Sequence, residues 1–229
     1  MNKTIDENKP MIISYMTLRK AIGWLGILLP FALLIGNYLI SWFTDFETGC
    51  NPFKSSISHY YYTRMGELFV GTLCAVALFL FCYKGKEKID SHLSNLAGFF
   101  ALGIITFPTS ADLPIPCNLR GYMSHSTIGT IHFTMATLFF LTLASISFFI
   151  FTKNKGYMTD QKYIRNIIYK ICSIVIVACL AGIAIYIKWL KQSHPTLEDL
   201  HPVFWFEAIA LVAFGFSWLT KGEFLLKDK

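Results

Sequence analysis

Six apolar stretches, each near the roughly 20 residues needed to cross about 30 Å of hydrocarbon, constrain this chain more than any other feature. They lie at about 21–43, 66–83, 93–108, 131–151, 167–187 and 203–219 of 229 residues. Only short connections are left between them. The reading is all-α: one polytopic transmembrane domain over 1–229, a six-helix bundle preceded by a polar segment at 1–20. Only 15% of residues are charged, against about one quarter in a typical soluble domain, which points to lipid as the solvent. The first stretch is long, and "TDFETGC" after it has no small-residue cleavage site. It is therefore expected to be a retained span and not a signal peptide.

Charge sets the expected orientation. With six spans, 15 of the 20 Lys and Arg residues fall on the side that holds both termini and loops two–three and four–five. The remaining five are Lys54, Arg64, Arg120, Lys188 and Lys191. This positive-inside bias places both termini in the cytoplasm. It also gives the net charge of +6 a topological cause, so no nucleic-acid partner is expected.

The other side carries the chemical variety. Six of the eight prolines and five of the six histidines (His59, His125, His132, His194, His201) lie in its loops or just inside its leaflet. Cys74, Cys82, Cys172 and Cys179 fall within spans, where a thiol behaves as a small apolar group. Cys50 and Cys117 are the two outside the spans and form the candidate disulfide. No GxxxxGK[ST] phosphate loop, CxxC pair or HExxH helix occurs.

Within "SISHYYYT", Ser58 and His59 are adjacent, so their side chains diverge and they do not form a nucleophile–base pair with each other. A dyad needs an imidazole from elsewhere, such as His125 or His132. These two are seven apart in "YMSHSTIGTIHFT" and would share a helix face. Tyr60, Tyr61 and Tyr62 suit a membrane–water interface, although three in a row cannot all face lipid, so at least one is expected to point inward. Glu207 in "PVFWFEAIAL" is the one acid placed deep inside a span, since Glu67 only opens span two, and an ionisable group at such depth marks a candidate site. The opposing reading lets it snorkel to the headgroups or pair with Arg64 or Arg120. Pro108 in "FPTSAD" ends span three, with Thr109, Ser110 and Asp112 behind it. A zinc site from His59, His125 or His132 with Asp112 or Glu207 is chemically conceivable, but no ligand spacing specifies one. No metal or other cofactor is expected.

"SISHYYYTRMGELFVGTLCAVALFLFCYKG", "SNLAGFFALGIITFPTS" and "FWFEAIALVAFGFSWLTKGE" together resemble an uncharacterised bacterial family of six-span membrane proteins. More distantly the chain resembles DRAM and Sfk-type proteins, which also have six spans, cytoplasmic termini and an Ile-Ser motif in the first outer loop. Their usual acid and glycine after that serine are His59 and Tyr60 here. The resemblance implies a multi-pass protein of the bacterial inner membrane and an association with lipid handling.

The expected function is accordingly a membrane protein whose outer-facing polar pocket binds or handles a lipid or other amphiphile. Its candidate residues are Ser58, His59, Tyr61, Tyr62, Thr63, Asp112, His132 and Glu207, with membrane lipids as partners. Three alternatives stay open: a membrane-embedded hydrolase or acyltransferase, metal-assisted or not; a small proton-coupled transporter using Glu207; and a structural membrane partner without a ligand.

Overall fold

The computed structural model describes residues 15–44, 50–85, 87–110, 117–121, 125–153, 156, 158–224 and 226. Among the described residues every regular element is helical and none is a strand. The main helices are α1 (Tyr15–Phe43), α2 (Gly66–Cys82), α3 (Lys88–Thr106), α4 (Ser126–Ser145), α5 (Asp160–Ile185) and α6 (Pro202–Lys221). A π turn at Ile146–Ile150 prolongs α4. Another at Tyr186–Leu190, followed by the short turn Lys191–Ser193, prolongs α5. Two 3-10 turns, Ile57–Tyr62 and Pro195–Leu200, lie in the connections.

Local chemistry explains the boundaries. The Thr159 hydroxyl accepts the Lys162 amide at 3.2 Å and starts α5, as an N-cap should. Asp90 accepts the Glu87 amide at 3.3 Å at the start of α3, half of a capping box. That helix stops at Thr106 because Phe107 precedes Pro108 and takes an extended conformation. His201 turns the chain in the left-handed region (φ 48°), and Pro202 then opens α6. Most helices reach further than the apolar stretches, because their first and last turns carry the polar residues that end each stretch.

Among the described residues, four helical segments are long and apolar enough to cross a membrane: Met16–Phe43, Ser126–Ile150, Asp160–Ser193 and Pro195–Lys221. Helix α2 is apolar but has only 17 residues. The first two turns of α3 hold Lys88, Asp90, Ser91, His92, Ser94 and Asn95, which lowers its hydropathy. The expected six spans are thus four by length and composition, with two further helices packed among them.

Each helix packs on its neighbour in sequence, and α6 closes the ring against α1. α6 lies in the most enclosed of the four long apolar segments: 61% of its most apolar stretch is buried, against 33–44% for the other three. The α1–α6 contact runs through Gly23 and Gly215, where a Cβ on Gly215 would strike the Gly23 carbonyl. Such close backbone approach is the usual role of small residues between membrane helices.

The two ends of the bundle differ. At one end Tyr83, Phe151, Tyr169 and Trp218 interlock edge to face, with centroids 5.2–5.4 Å apart. Arg19 and Lys221 cover these rings, and Lys153 bonds Glu87 at 2.7 Å and Asp90 at 3.0 Å. At the other end the loop between α1 and α2 folds inward as the 3-10 turn Ile57–Tyr62 and packs on α1, α2 and α6. That loop builds the site.

Candidate functional site

The 3-10 turn is held from several sides. Cys50 and Cys117 are disulfide-bonded with Cα atoms 5.7 Å apart. The Leu119 amide donates to the Tyr62 carbonyl at 3.0 Å, and Arg120 Nε donates to the Tyr61 carbonyl at 2.7 Å. From α1, Asn37 Nδ2 donates to the Pro52 carbonyl at 2.9 Å. From α6, the Phe204 amide donates to the Ser55 carbonyl at 3.1 Å, while the Glu207 carboxylate accepts the Ile57 amide at 2.6 Å. Ser56 caps the turn by accepting the His59 amide at 3.3 Å.

Three residues per turn decide where the side chains go. His59 and Tyr62 eclipse one another and reach adjacent carbonyls beyond α3: His59 Nε2 donates to Ser110 at 3.1 Å and the Tyr62 hydroxyl to Thr109 at 2.6 Å. Tyr61 lies beneath the Arg120 guanidinium, 4.3 Å from ring centroid to Cζ. The Tyr60 hydroxyl faces the Pro52 carbonyl at 3.4 Å. All three tyrosines are buried, so the expected interfacial tyrosine run is corrected: the turn packs inside the bundle end and none of the three rings is left to line lipid. Burial pushes the Tyr60 and Tyr62 hydroxyls above their ordinary pKa, keeping them neutral donors.

Ser58 and His59 diverge as adjacency requires, and each finds a partner elsewhere. His132 Nδ1 faces the carbonyls of Ile104 (3.1 Å) and Phe107 (2.8 Å). Facing only acceptors, Nδ1 carries the proton, which leaves Nε2 as an acceptor. Ser58 Oγ lies 3.0 Å from that Nε2 and therefore donates to it. His59 repeats the arrangement with the nitrogens exchanged. Nε2–H is held by Ser110, and Nδ1 accepts from Ser56 Oγ at 2.6 Å, with Ser55 Oγ at 3.2 Å. Burial lowers the His59 pKa to about 4, and the nearby His132, Lys191 and Lys54 push in the same direction against the Ser110 carbonyl. His59 is therefore neutral at neutral pH.

These groups border one cavity of about 340 Å³ between the 3-10 turn, α4, α5 and the start of α6. Its polar floor includes Ser56, Ser58, His59, His132 and Glu207, and its wall includes Phe133, Phe140, Leu180 and Ile183. The π turn of α5 brings Tyr186 and Ile187 to the same wall, a use of π turns that recurs at functional sites. Lys191 and Glu198, paired at 3.5 Å and half-exposed, stand at the mouth. A smaller apolar chamber of about 40 Å³ shares Ser58, Phe140 and Glu207 with the larger one and continues inward between Leu29, Phe69 and Leu73.

Of the residues singled out in the sequence, Ser58, His59, His132 and Glu207 meet at this cavity. Tyr61, Tyr62 and Thr63 do not line it. Thr63 is buried as the cap of the turn, its hydroxyl donating to the Tyr60 carbonyl at 2.8 Å. Asp112 lies outside the described residues. His125 is exposed and precedes the first turn of α4 in an extended conformation. It does not share a helix face with His132, because the seven-residue spacing starts outside the helix. Arg120 pairs with Glu67 at 3.2 Å, while the Glu207 carboxylate accepts the Ile57 amide. Sequence reasoning overlooked the α5 wall, whose apolar residues carry no signal beyond hydrophobicity. It also overlooked the Ser56–His59 pair, for which the i,i+3 spacing in "SSISH" is a local clue.

Among the described residues no three His, Cys, Asp or Glu side chains converge closely enough to hold a metal ion. In comparison with known proteins, the chain matches no family model, and no curated protein or solved structure shows significant similarity to it.

Proposed function

We propose that this chain is an integral membrane protein whose outer-facing polar pocket binds a lipid or another amphiphile. In this reading all six main helices cross a bacterial inner membrane and both termini are cytoplasmic. The basic, aromatic end of the bundle then faces the cytoplasm, and the 3-10 turn with its disulfide faces the oxidising side. Kinship with the six-span bacterial family belongs to the same proposal.

One observation carries it: a single 340 Å³ cavity combines a floor of hydroxyl and imidazole groups with a wall of Phe and aliphatic side chains. That volume lies within the range of small-ligand sites. An amphiphile satisfies both surfaces at once, with its polar group on the floor and its chain along the wall. The proton-transport alternative has less support, because Glu207 is engaged by a backbone amide and no repeat-related pair of broken helices appears among the described residues.

Native mass spectrometry of protein extracted in mild detergent tests the pocket. A co-purifying amphiphile is expected, and it should be depleted in Ala184→Trp, which adds an indole at the cavity wall. Equal retention by this variant contradicts the reading. Orientation is checked separately with an impermeant maleimide on intact cells: Glu198→Cys should react and Glu87→Cys should not, and the reverse pattern contradicts the topology.

A further inference from the structure

We propose that Ser58 and His132 form the nucleophile–base pair of an acyl-ester hydrolase, acting on a carboxylic ester whose acyl chain lies along the apolar wall of the cavity. The inference rests on the reading of the cavity as an amphiphile site.

The geometry has the three parts that an activated serine needs. Ser58 Oγ donates to His132 Nε2 at 3.0 Å. The opposite ring nitrogen is held by the Ile104 and Phe107 carbonyls, which fix the tautomer and ring orientation as the acidic member does in a catalytic triad. Ser58 also borders both the large cavity and the inner chamber, so a carbonyl resting on the floor can meet its oxygen. Glu207, through the Ile57 amide, anchors the residue next to Ser58 and is a positioning residue.

The second serine–histidine pair serves less well. Ser56 Oγ is committed as the cap of the 3-10 turn, and its histidine nitrogen is shared with Ser55. Among the described residues the Ser58 hydroxyl has His132 as its hydrogen-bond partner and caps no turn.

The reaction balances without another cofactor. The Ser58 hydroxyl proton passes to His132 Nε2 as Oγ bonds to the ester carbonyl carbon. The carbon–oxygen bond to the alcohol then breaks, and that alcohol leaves with the proton from Nε2. Water entering by the mouth at Lys191 and Glu198 gives a proton to Nε2 and attacks the acyl carbon. Ser58 Oγ departs with that proton, releasing a carboxylic acid.

The test uses full-length protein in detergent and an alkyl fluorophosphonate, with the adduct mapped by tandem mass spectrometry. The label is expected on Ser58, absent in Ser58→Ala and slowed about 100-fold in His132→Gln, the size typical of losing a general base. Ser126→Ala, which removes an exposed hydroxyl at the start of α4, should label as the native chain does. Native protein should also hydrolyse p-nitrophenyl octanoate above the rate of protein-free micelles, and Ser58→Ala should not. The map on native protein decides the matter even where a variant fails to fold. A label on Ser56, on surface serines only, or no label at all overturns the dyad. If amphiphile co-purifies and no label forms, the pocket reading stands and the hydrolase falls. If neither is seen, both fall.

Discussion

The Glu207 carboxylate on α6 accepts the backbone N–H of Ile57 at 2.6 Å, joining residues 150 positions apart. This bond locks the turn that carries Ser58 and His59 onto the most enclosed long helix. Glu207→Gln keeps an acceptor in place and should leave the thermal midpoint within a few degrees of native. Glu207→Ala leaves the Ile57 amide without its partner, at a cost of about 1–3 kcal/mol. Thermal unfolding in detergent compares the two, and equal destabilisation by both variants would sink this assignment.

Helix α1 approaches α6 most closely where Gly23 meets Gly215, and a Cβ at 215 would strike backbone, which cannot move aside. Gly215→Val is therefore expected to destabilise by an amount typical of overpacking, about 1–3 kcal/mol. Gly71→Ala serves as comparison, since among the described residues nothing lies within 4 Å of a Cβ there. Unfolding midpoints should separate the two variants clearly.

The Cys50–Cys117 bridge closes a separation of 67 residues. The loop-closure model assigns such a bridge about 4 kcal/mol, and both cysteines are buried. Cys50→Ser should lower the midpoint markedly, and dithiothreitol should lower that of the native protein but not of the variant. An unchanged native midpoint under full reduction, verified by mass, argues against the bridge as a stabilising element.

Acid sensitivity follows from His59. Its pKa is lowered from 6.5 to about 4 by burial, so the unfolded chain binds a proton that the folded one refuses. Stability is complete above about pH 6.5 and falls as pH drops towards 4, because between these values unfolding takes up a proton. His59→Gln should flatten this part of the curve. Equal slopes for variant and native protein between pH 6.5 and 4.5 would show that other groups dominate.

Much of the architecture was legible in the sequence because hydropathy writes helices directly. The apolar stretches locate all six main helices within a few residues at most ends, and Pro108 and Pro202 mark real boundaries. Helix α3 was least visible, since Asp90 and its neighbouring polar residues serve the basic end of the bundle. The site was half legible. The adjacency of Ser58 and His59 required separate partners, and His132 was among those named. The partnership itself depends on how the 3-10 turn is seated, which is set by contacts to Glu207, Arg120 and Thr109 far away in sequence. The tyrosine run misleads for the same reason: composition suits an interface, while tertiary packing buries all three rings.

The pocket as an amphiphile site is tested most directly by photo-crosslinking with a long-chain ester that carries a diazirine at the end of its chain. Bound in the cavity, it should mark residues of the inner wall such as Phe140, Leu180 and Ile183, and Ala184→Trp should abolish those adducts. Adducts confined to outward-facing side chains such as Leu141 and Ile174, unchanged by Ala184→Trp, would contradict the account.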